Sequence, residues 1–289
     1  MVRHSVRIAT IIVLVVLIMV YPFLPGQYDA LAFPLSTIVQ LLGTVGLLLV
    51  PLGAVWLVYE LRKSVRGNRN LPGTNPGYSF ALVCLIVSSI LVILISLFAT
   101  FGIGISFGVI TFLVWFYATS RLIPEIKLMK KAETENLNPT PFYLIFIPII
   151  LLLFQLTLAA PITEFSRNYA IANSNEFIRD IEAYHDEYGH YPVSLVAMWK
   201  DYYPDIVGVE KYHYLPYGQS YNLMFEQPRF LLDNIGAREW VVYNPDDEQR
   251  VYSHTSWFLL LTPEELERSQ GWYAVHDAAS PHWKYFWFD

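Results

Sequence analysis

The sequence predicts an α-helical polytopic membrane bundle of about five transmembrane helices, followed by an α+β domain in which an N-terminal helix packs on a small antiparallel sheet. Three observations predict it. Of the 289 residues 54% are hydrophobic and only 15% charged, too apolar for an ordinary soluble chain. Long uncharged apolar stretches fill residues 1–162 and then cease. From Thr163 onward 9 Lys and Arg stand against 20 Asp and Glu, whereas before it 10 stand against 5, so residues 1–162 and 163–289 read as a bundle and an acidic domain in different surroundings.

The first span, at about 8–24, is an uncharged run long enough to cross a hydrocarbon core of about 30 Å. Arg3 and Arg7 precede it as in a signal peptide, and Ala30-Leu-Ala32 has small residues at a cleavage-like spacing. The intervening Pro25-Gly26-Gln27-Tyr28-Asp29 is a long polar region before any cut, which favours an uncleaved anchor. The second span covers about 35–59, with a kink expected at Pro51.

Phe80 to Ala118 has no charged residue. At about 1.5 Å per residue one helix of that length would be nearly twice the bilayer thickness, so the run folds back on itself. Gly102 and Gly104 mark the turn, giving spans at about 80–100 and 103–119. A fifth span covers 142–162, contains Pro148 and ends near Pro161.

Basic residues set the orientation, because cytoplasmic loops carry the excess of Lys and Arg. Arg3 and Arg7, then Arg62, Lys63, Arg66 and Arg69, then Arg121, Lys127, Lys130 and Lys131 all fall on one side of a five-span chain. The N terminus is therefore expected in the cytoplasm and the C-terminal domain outside the cell membrane. No ionisable residue lies inside a span, with Glu60 read as interfacial beside Arg62, and this counts against a pump or proton-coupled carrier. Gly104 and Gly108 have the spacing that lets helices approach closely. Bundle packing is the expected use, with an oligomer contact left open.

In the outer domain Phe177, Ile181, Tyr184 and Tyr188 recur at helical steps, leaving Arg179, Glu182, Asp186 and Glu187 toward water. Asn173, with Glu176 three residues later, is the expected cap, and Gly189 and Pro192 end the helix. A short second helix is expected over Ser194–Tyr202. Strands follow near 212–215, 221–225, 240–243, 251–253, 272–275 and 283–288, with a turn at Asn244-Pro-Asp-Asp247 and a short helix from Thr262 to Gly271.

The stretch Asp180-Ile-Glu-Ala-Tyr184-His-Asp-Glu-Tyr188-Gly189-His-Tyr191-Pro192-Val-Ser-Leu195 resembles the soluble part of type II secretion pseudopilins and related type IV pilin-like proteins. There too a helix rising from a membrane span ends in a tyrosine, then Gly-x-Tyr-Pro, a short helix and a small antiparallel sheet. The resemblance covers about 165–225, continuing through Tyr212-His-Tyr214 and Tyr221–Phe225. This chain departs from the pattern where pilins have a leader and a glutamate at the fifth position: the equivalent span starts Pro141-Phe142 and has Phe146 there. The resemblance implies a scaffold, and a scaffold does not fix function.

Pseudopilins of the major type often bind calcium in a C-terminal loop, and Asn244, Asp246, Asp247 and Glu248 supply oxygens of that kind, although without a glycine-centred calcium loop. His185 and His190 are five apart with Gly189 between, a poor spacing for one metal face. His276, Asp277 and His282 would have to converge across a hairpin. Cys84 is a lone thiol expected as core filler, so disulfides within the chain and cysteine zinc sites are excluded. Motifs for a serine nucleophile or a phosphate-cradling loop are absent. Scattered basic residues on an acidic domain argue against nucleic acid.

The outstanding feature from Thr163 on is 6 Trp, 14 Tyr and 7 Phe. Most fill a core, but exposed Trp and Tyr favour partner contacts. Trp272, Trp283, Tyr285 and Trp287 are the candidate binding residues. The run Trp283-Lys-Tyr285-Phe286-Trp287-Phe288 is aromatic on both strand faces, so it is either buried on both sides or adhesive on one. These observations together imply a membrane-anchored, non-enzymatic protein whose outer domain binds a protein or envelope polymer. No cofactor is expected beyond a calcium ion at the 244–248 turn. The alternative is an envelope enzyme or ligand sensor with a pocket in the outer domain.

Overall fold

The computed structural model describes residues 2–66, 76–130, 137–194, 200–233, 238–249, 251–252, 260–261 and 273–288. Its helices are α1 (Val2–Val20), α2 (Ala32–Gly46), α3 (Val50–Arg66), α4 (Pro76–Gly102), α5 (Ile105–Met129), α6 (Thr140–Asn173) and α7 (Asn175–Tyr188). The strands are β1 (His213–Tyr217), β2 (Ser220–Gln227), β3 (Arg238–Tyr243), β4 (Val251–Tyr252), β5 (Leu260–Leu261), β6 (Tyr273–Asp277) and β7 (Trp283–Phe288). The chain divides into two compact units, one of residues 1–19 and 34–154, the other of residues 20–33 and 155–289.

The first unit is helical. Among the described residues five helical runs are long and apolar enough to cross a membrane: Arg3–Phe23, Ala32–Lys63, Pro76–Gly102, Ile105–Met129 and Thr140–Tyr188. Pro51 has no N–H to give to the carbonyl four residues back, and the irregularity takes the form of a 3-10 turn at Leu47–Leu49 ahead of α3. Between α4 and α5 the helix is interrupted at the expected glycines, where Gly104 adopts a φ of 150°. The two helices then lie against each other so closely that a Cβ on Gly108 would meet Thr100 Oγ1 at 1.9 Å and the Ser96 carbonyl at 2.6 Å. Trp115 Nε1 donates to Ser89 Oγ across the same hairpin at 3.2 Å.

Glu60, near the end of α3, is held by partners within the protein. It is 4% exposed, takes a hydrogen bond from Trp56 Nε1 at 3.2 Å and a longer one from the Asn138 amide at 3.4 Å. The helical step of four that brings Trp56 onto the face of Glu60 also carries Trp56 into a cluster with Ala81 and the buried Cys84.

In the second unit α7 and the end of α6 cover one face of a five-stranded antiparallel sheet of order β1-β2-β3-β7-β6. Alternation along β2 sends Tyr221, Leu223 and Phe225 to that face, where they meet Phe177 and Ile181 of α7, Val241 of β3 and Trp283 of β7. Each such fully buried apolar side chain stabilises the fold by about 1.5–3 kcal/mol. On the opposite face Val242 and Phe286 are also fully buried, with Met224, Trp240 and Val275 packed against them. The central strands β3 and β7 are thus buried on both sides at their middles. The pair β4 and β5 forms a separate two-stranded ladder, so the strand expected near 251–253 lies outside the main sheet.

Three local expectations change. The last apolar helix does not end at Pro161 but continues to Asn173, and α7 follows after Ser174 alone. Asn173 does not cap α7; its amide donates to the Pro204 carbonyl at 2.8 Å and ties the helix junction to the chain ahead of β1. Within α7 Phe177 and Ile181 are buried, whereas Tyr188 is exposed and has its ring against that of Tyr184. Gly189 does end α7, in the left-handed conformation with φ 73°. Of the second helix expected over Ser194–Tyr202, residues 195–199 lie outside the described residues and 200–202 are not helical; the helix expected from Thr262 to Gly271 lies outside them altogether.

Residues 20–33, the loop after α1, belong to the sheet-bearing unit. The amides of Gly26 and Asp29 donate to the carbonyls of Asp205 and Val207 at 2.9 Å each, the Val207 amide returns to Leu24 at 3.0 Å, and Gly208 N–H reaches the Pro22 carbonyl at 2.8 Å. Pro25 and Ile206 form an antiparallel bridge, and Phe23 stacks on Phe230 with ring centroids 4.3 Å apart. A Cβ on Gly208 would lie 2.6 Å from the Pro22 carbonyl oxygen, so only glycine permits this approach.

Candidate functional site

The C-terminal strand holds three of the four candidate binding residues. Trp283, Tyr285 and Trp287 alternate onto the helix-covered face, opposite Tyr243, Val241 and Glu239 of β3. Trp283 is 3% exposed and belongs to the core, while Tyr285 and Trp287 are half-buried. Trp272 lies outside the described residues.

Tyr285 and Trp287 are engaged by a charge network around Glu239, a carboxylate with no exposed surface. Glu239 Oε1 accepts from Arg167 Nε at 2.7 Å, and Oε2 accepts from Trp287 Nε1 at 2.8 Å. The Arg167 guanidinium lies over the Tyr285 ring at 3.8 Å and that of Arg229 over the Trp287 ring at 4.0 Å. Arg229 Nε is 3.7 Å from Glu239 Oε2 and its Nη2 is 3.2 Å from Asp233 Oδ2, so two cations meet two carboxylates. His276, opposite Tyr285 across β6 and β7, stacks on that ring and lies tilted against Trp287. Each guanidinium is bracketed by an anion and an aromatic face, an arrangement that holds a charged cluster in a dry place and orders the end of the sheet.

The turn after β3 places the four candidate metal ligands differently from one another. Asn244 is fully buried. Its Oδ1 accepts from the amides of Asp246 at 2.9 Å and Glu248 at 3.0 Å, and its Nδ2 donates to the Tyr221 carbonyl at 3.0 Å, to Asn222 Oδ1 at 3.1 Å and to the Tyr217 hydroxyl. The Asn244 oxygen is therefore spent on shaping the turn. Asp246, Asp247 and Glu248 are exposed, and Asp247, at a φ of 60°, pairs with His282 Nδ1 at 3.2 Å. Among the described residues no group of three or more His, Cys, Asp or Glu is placed to hold a metal ion. His185 stacks on Tyr191 at 4.3 Å, His190 Nδ1 meets the Tyr191 carbonyl, and His276 and His282 take the separate partners already described.

A third constellation joins residues far apart in the chain. Periodicity sets Glu182 toward water, yet its Oε1 accepts from the Tyr221 hydroxyl at 2.8 Å and its Oε2 from that of Tyr191 at 3.4 Å. Tyr214 and Tyr243 complete a group of four rings, with centroids 5.5 and 5.9 Å from that of Tyr221. Burial, followed by the Glu182 charge, pushes the Tyr191 phenol up to about 12; burial first also raises Tyr221, Tyr214 and Tyr243, and the Asp246 charge adds to the rise at Tyr191 and Tyr243. These phenols remain protonated donors throughout the neutral range. Asp186, Glu187 and Tyr188 of α7 and Asp246 and Glu248 of the turn after β3 are exposed, and Asp246 is near enough to act on Tyr191 and Tyr243. The one signal in the sequence was the flanking place of Glu182 beside the buried Ile181.

Carboxylates interleaved with phenol hydroxyls and ring faces suit a cationic or hydroxyl-rich partner. No family model, no curated protein and no solved structure matches this chain.

Proposed function

We propose that this is a multi-pass protein of the cell membrane, with a cytoplasmic N terminus and an extracytoplasmic C-terminal domain that binds a protein or envelope polymer without catalysing a reaction. The observation that carries the topology is the inclusion of residues 20–33 in the same compact unit as the sheet. Two segments hydrogen-bonded to each other lie on one side of a bilayer. From the loop after the first apolar run to the sheet, the chain passes through four further runs, an even number, which fits that condition. A single span through Phe80–Ala118 would leave three crossings and place the two segments on opposite sides. The basic residues of the helical half then gather on the other face, as the excess of cations on cytoplasmic loops requires.

The binding face in this proposal is the acidic, tyrosine-lined end around Glu182, Tyr188, Tyr191 and the 246–248 turn. A pilin-like scaffold for the domain belongs to the same proposal, supported by the way α7 lies on an antiparallel sheet. Two experiments on the full chain test it. Reporters fused after Asp289 and inserted between Arg66 and Pro76 should be active outside and inside the cell respectively, and activity of the Asp289 fusion in the cytosol would sink the topology. A photoreactive residue replacing exposed Tyr188 should yield a discrete crosslinked species in whole cells that fades when Asp186 and Glu187 are changed to Lys. No crosslink there, or one indifferent to the charge reversal, would remove this face from the proposal.

A further inference from the structure

Within the helical unit a groove of about 610 Å³ opens between the first turns of α1 and the start of α6. Val6 and Ile11 on one wall and Pro139 on the other make it largely apolar, and Arg7, His4 and Tyr143 place polar atoms at it. His4 Nδ1 is 3.2 Å from the Tyr143 hydroxyl, with the two rings edge to face, so α1 and α6 are joined at the groove. That contact uses one ring nitrogen and leaves Nε2 as a second polar atom. Thr10 does not contribute a free hydroxyl, since its Oγ1 donates to the Val6 carbonyl at 3.0 Å. Among the described residues no carboxylate lies within ion-pair distance of Arg7.

A cation with no carboxylate partner among the described residues, beside a hydroxyl and an imidazole and above apolar walls, matches a phosphodiester attached to a hydrocarbon chain. We propose that this groove seats the headgroup phosphate of an anionic phospholipid, with Arg7 as the charge partner, His4 and Tyr143 as hydrogen-bond partners, and an acyl chain along Val6, Ile11 and Pro139. The inference rests on the membrane reading above. It goes beyond that reading by choosing one lipid class and one place for it, on the leaflet where anionic lipids concentrate.

The full chain is reconstituted in nanodiscs of phosphatidylcholine with phosphatidylglycerol, and co-purifying lipid is counted by native mass spectrometry. Retention of phosphatidylglycerol over phosphatidylcholine is expected to fall about fivefold in Arg7→Gln, the effect of one basic residue near an anionic surface, and to fall in Tyr143→Phe as well. Arg3→Gln, a cation of the same helix outside the groove, should keep the preference. Equal retention of the two lipids by the unaltered chain, or the same loss in Arg3→Gln as in Arg7→Gln, overturns the proposal. Displacement of the lipid by millimolar inorganic phosphate would reassign the site to the free anion. Extraction of the chain from cell membranes by alkaline carbonate would instead mean that the membrane reading itself has failed.

Discussion

Trp287 and Glu239 stand directly opposite each other on β7 and β3, and the indole N–H donates to a carboxylate that has no exposed surface at a distance of 2.8 Å. Removing that carboxylate leaves Arg167 and Arg229 buried without their shared anion. Glu239→Ala should therefore destabilise the sheet-bearing unit by about 3–5 kcal/mol, the usual effect of deleting one partner of a buried ion pair. Glu239→Gln, which keeps an acceptor for the indole, should lose less. Denaturant unfolding of the full chain in detergent, followed by tryptophan fluorescence, measures both, and equal stability of the alanine variant would show that the network contributes nothing.

The loop after α1 should come away from the domain when its anchors are cut. Phe23→Ala removes a fully buried ring stacked on Phe230, a change of about 3 kcal/mol or more for such a truncation. Gly208→Ala forces a Cβ to 2.6 Å from the Pro22 carbonyl oxygen. Both variants should speed hydrogen exchange at the Gly26 and Asp29 amides by about a hundredfold while amides of β2 keep their protection. Unchanged exchange at Gly26 and Asp29 would contradict the described stitching.

In the helical unit Gly108→Val should be among the most damaging single changes, because its new atoms meet Thr100 and the Ser96 backbone. Overpacking of this kind costs about 1–3 kcal/mol or more. Gly102→Ala is the control, since its Cβ would find only ordinary contact at 3.7 Å with Phe98. Thermal unfolding in detergent should rank Gly108→Val well below Gly102→Ala.

Acid should weaken the contact between α7 and the chain that follows it. The Tyr202 hydroxyl donates to Asp180, and this bond, with Lys200 beside it, holds the carboxyl below its ordinary 3.8. A carboxyl lowered in the folded state contributes stability that is fully present above its unfolded value and is lost as pH falls through the folded one. Tyr202→Phe should then reduce thermal stability at neutral pH, and its gap to the unaltered chain should shrink as pH drops below about 3.8. A gap independent of pH would show that the ionised Asp180 carboxylate contributes nothing to it.

Much of the architecture was legible because it depends on short-range rules. Charge-free length marked the helices, Gly102 and Gly104 marked their reversal, and alternation marked the strands that became β1, β2, β3, β6 and β7. What escaped was set by partners distant in the chain. Glu182 looked solvated because only the fold brings Tyr221 and Tyr191 to it. The contact of Glu60 with the Asn138 amide was invisible because the two residues are 78 apart in the chain. The double aromatic character of β7 admitted two outcomes, and burial of Trp283 and Phe286 on opposite faces places its middle inside. The candidate turn at 244–248 was recognisable as a turn, but the use of the Asn244 oxygen by two amides was not.

The stitch between Pro25 and Ile206 bears on the order of biogenesis. Pro25 leaves the ribosome long before Ile206, so the amides of Gly26 and Asp29 wait for acceptors translated about 180 residues later. Maturation of the earliest loop is thus gated by arrival of the 205–208 segment, and a product truncated before it would present that loop unfinished to quality-control proteases.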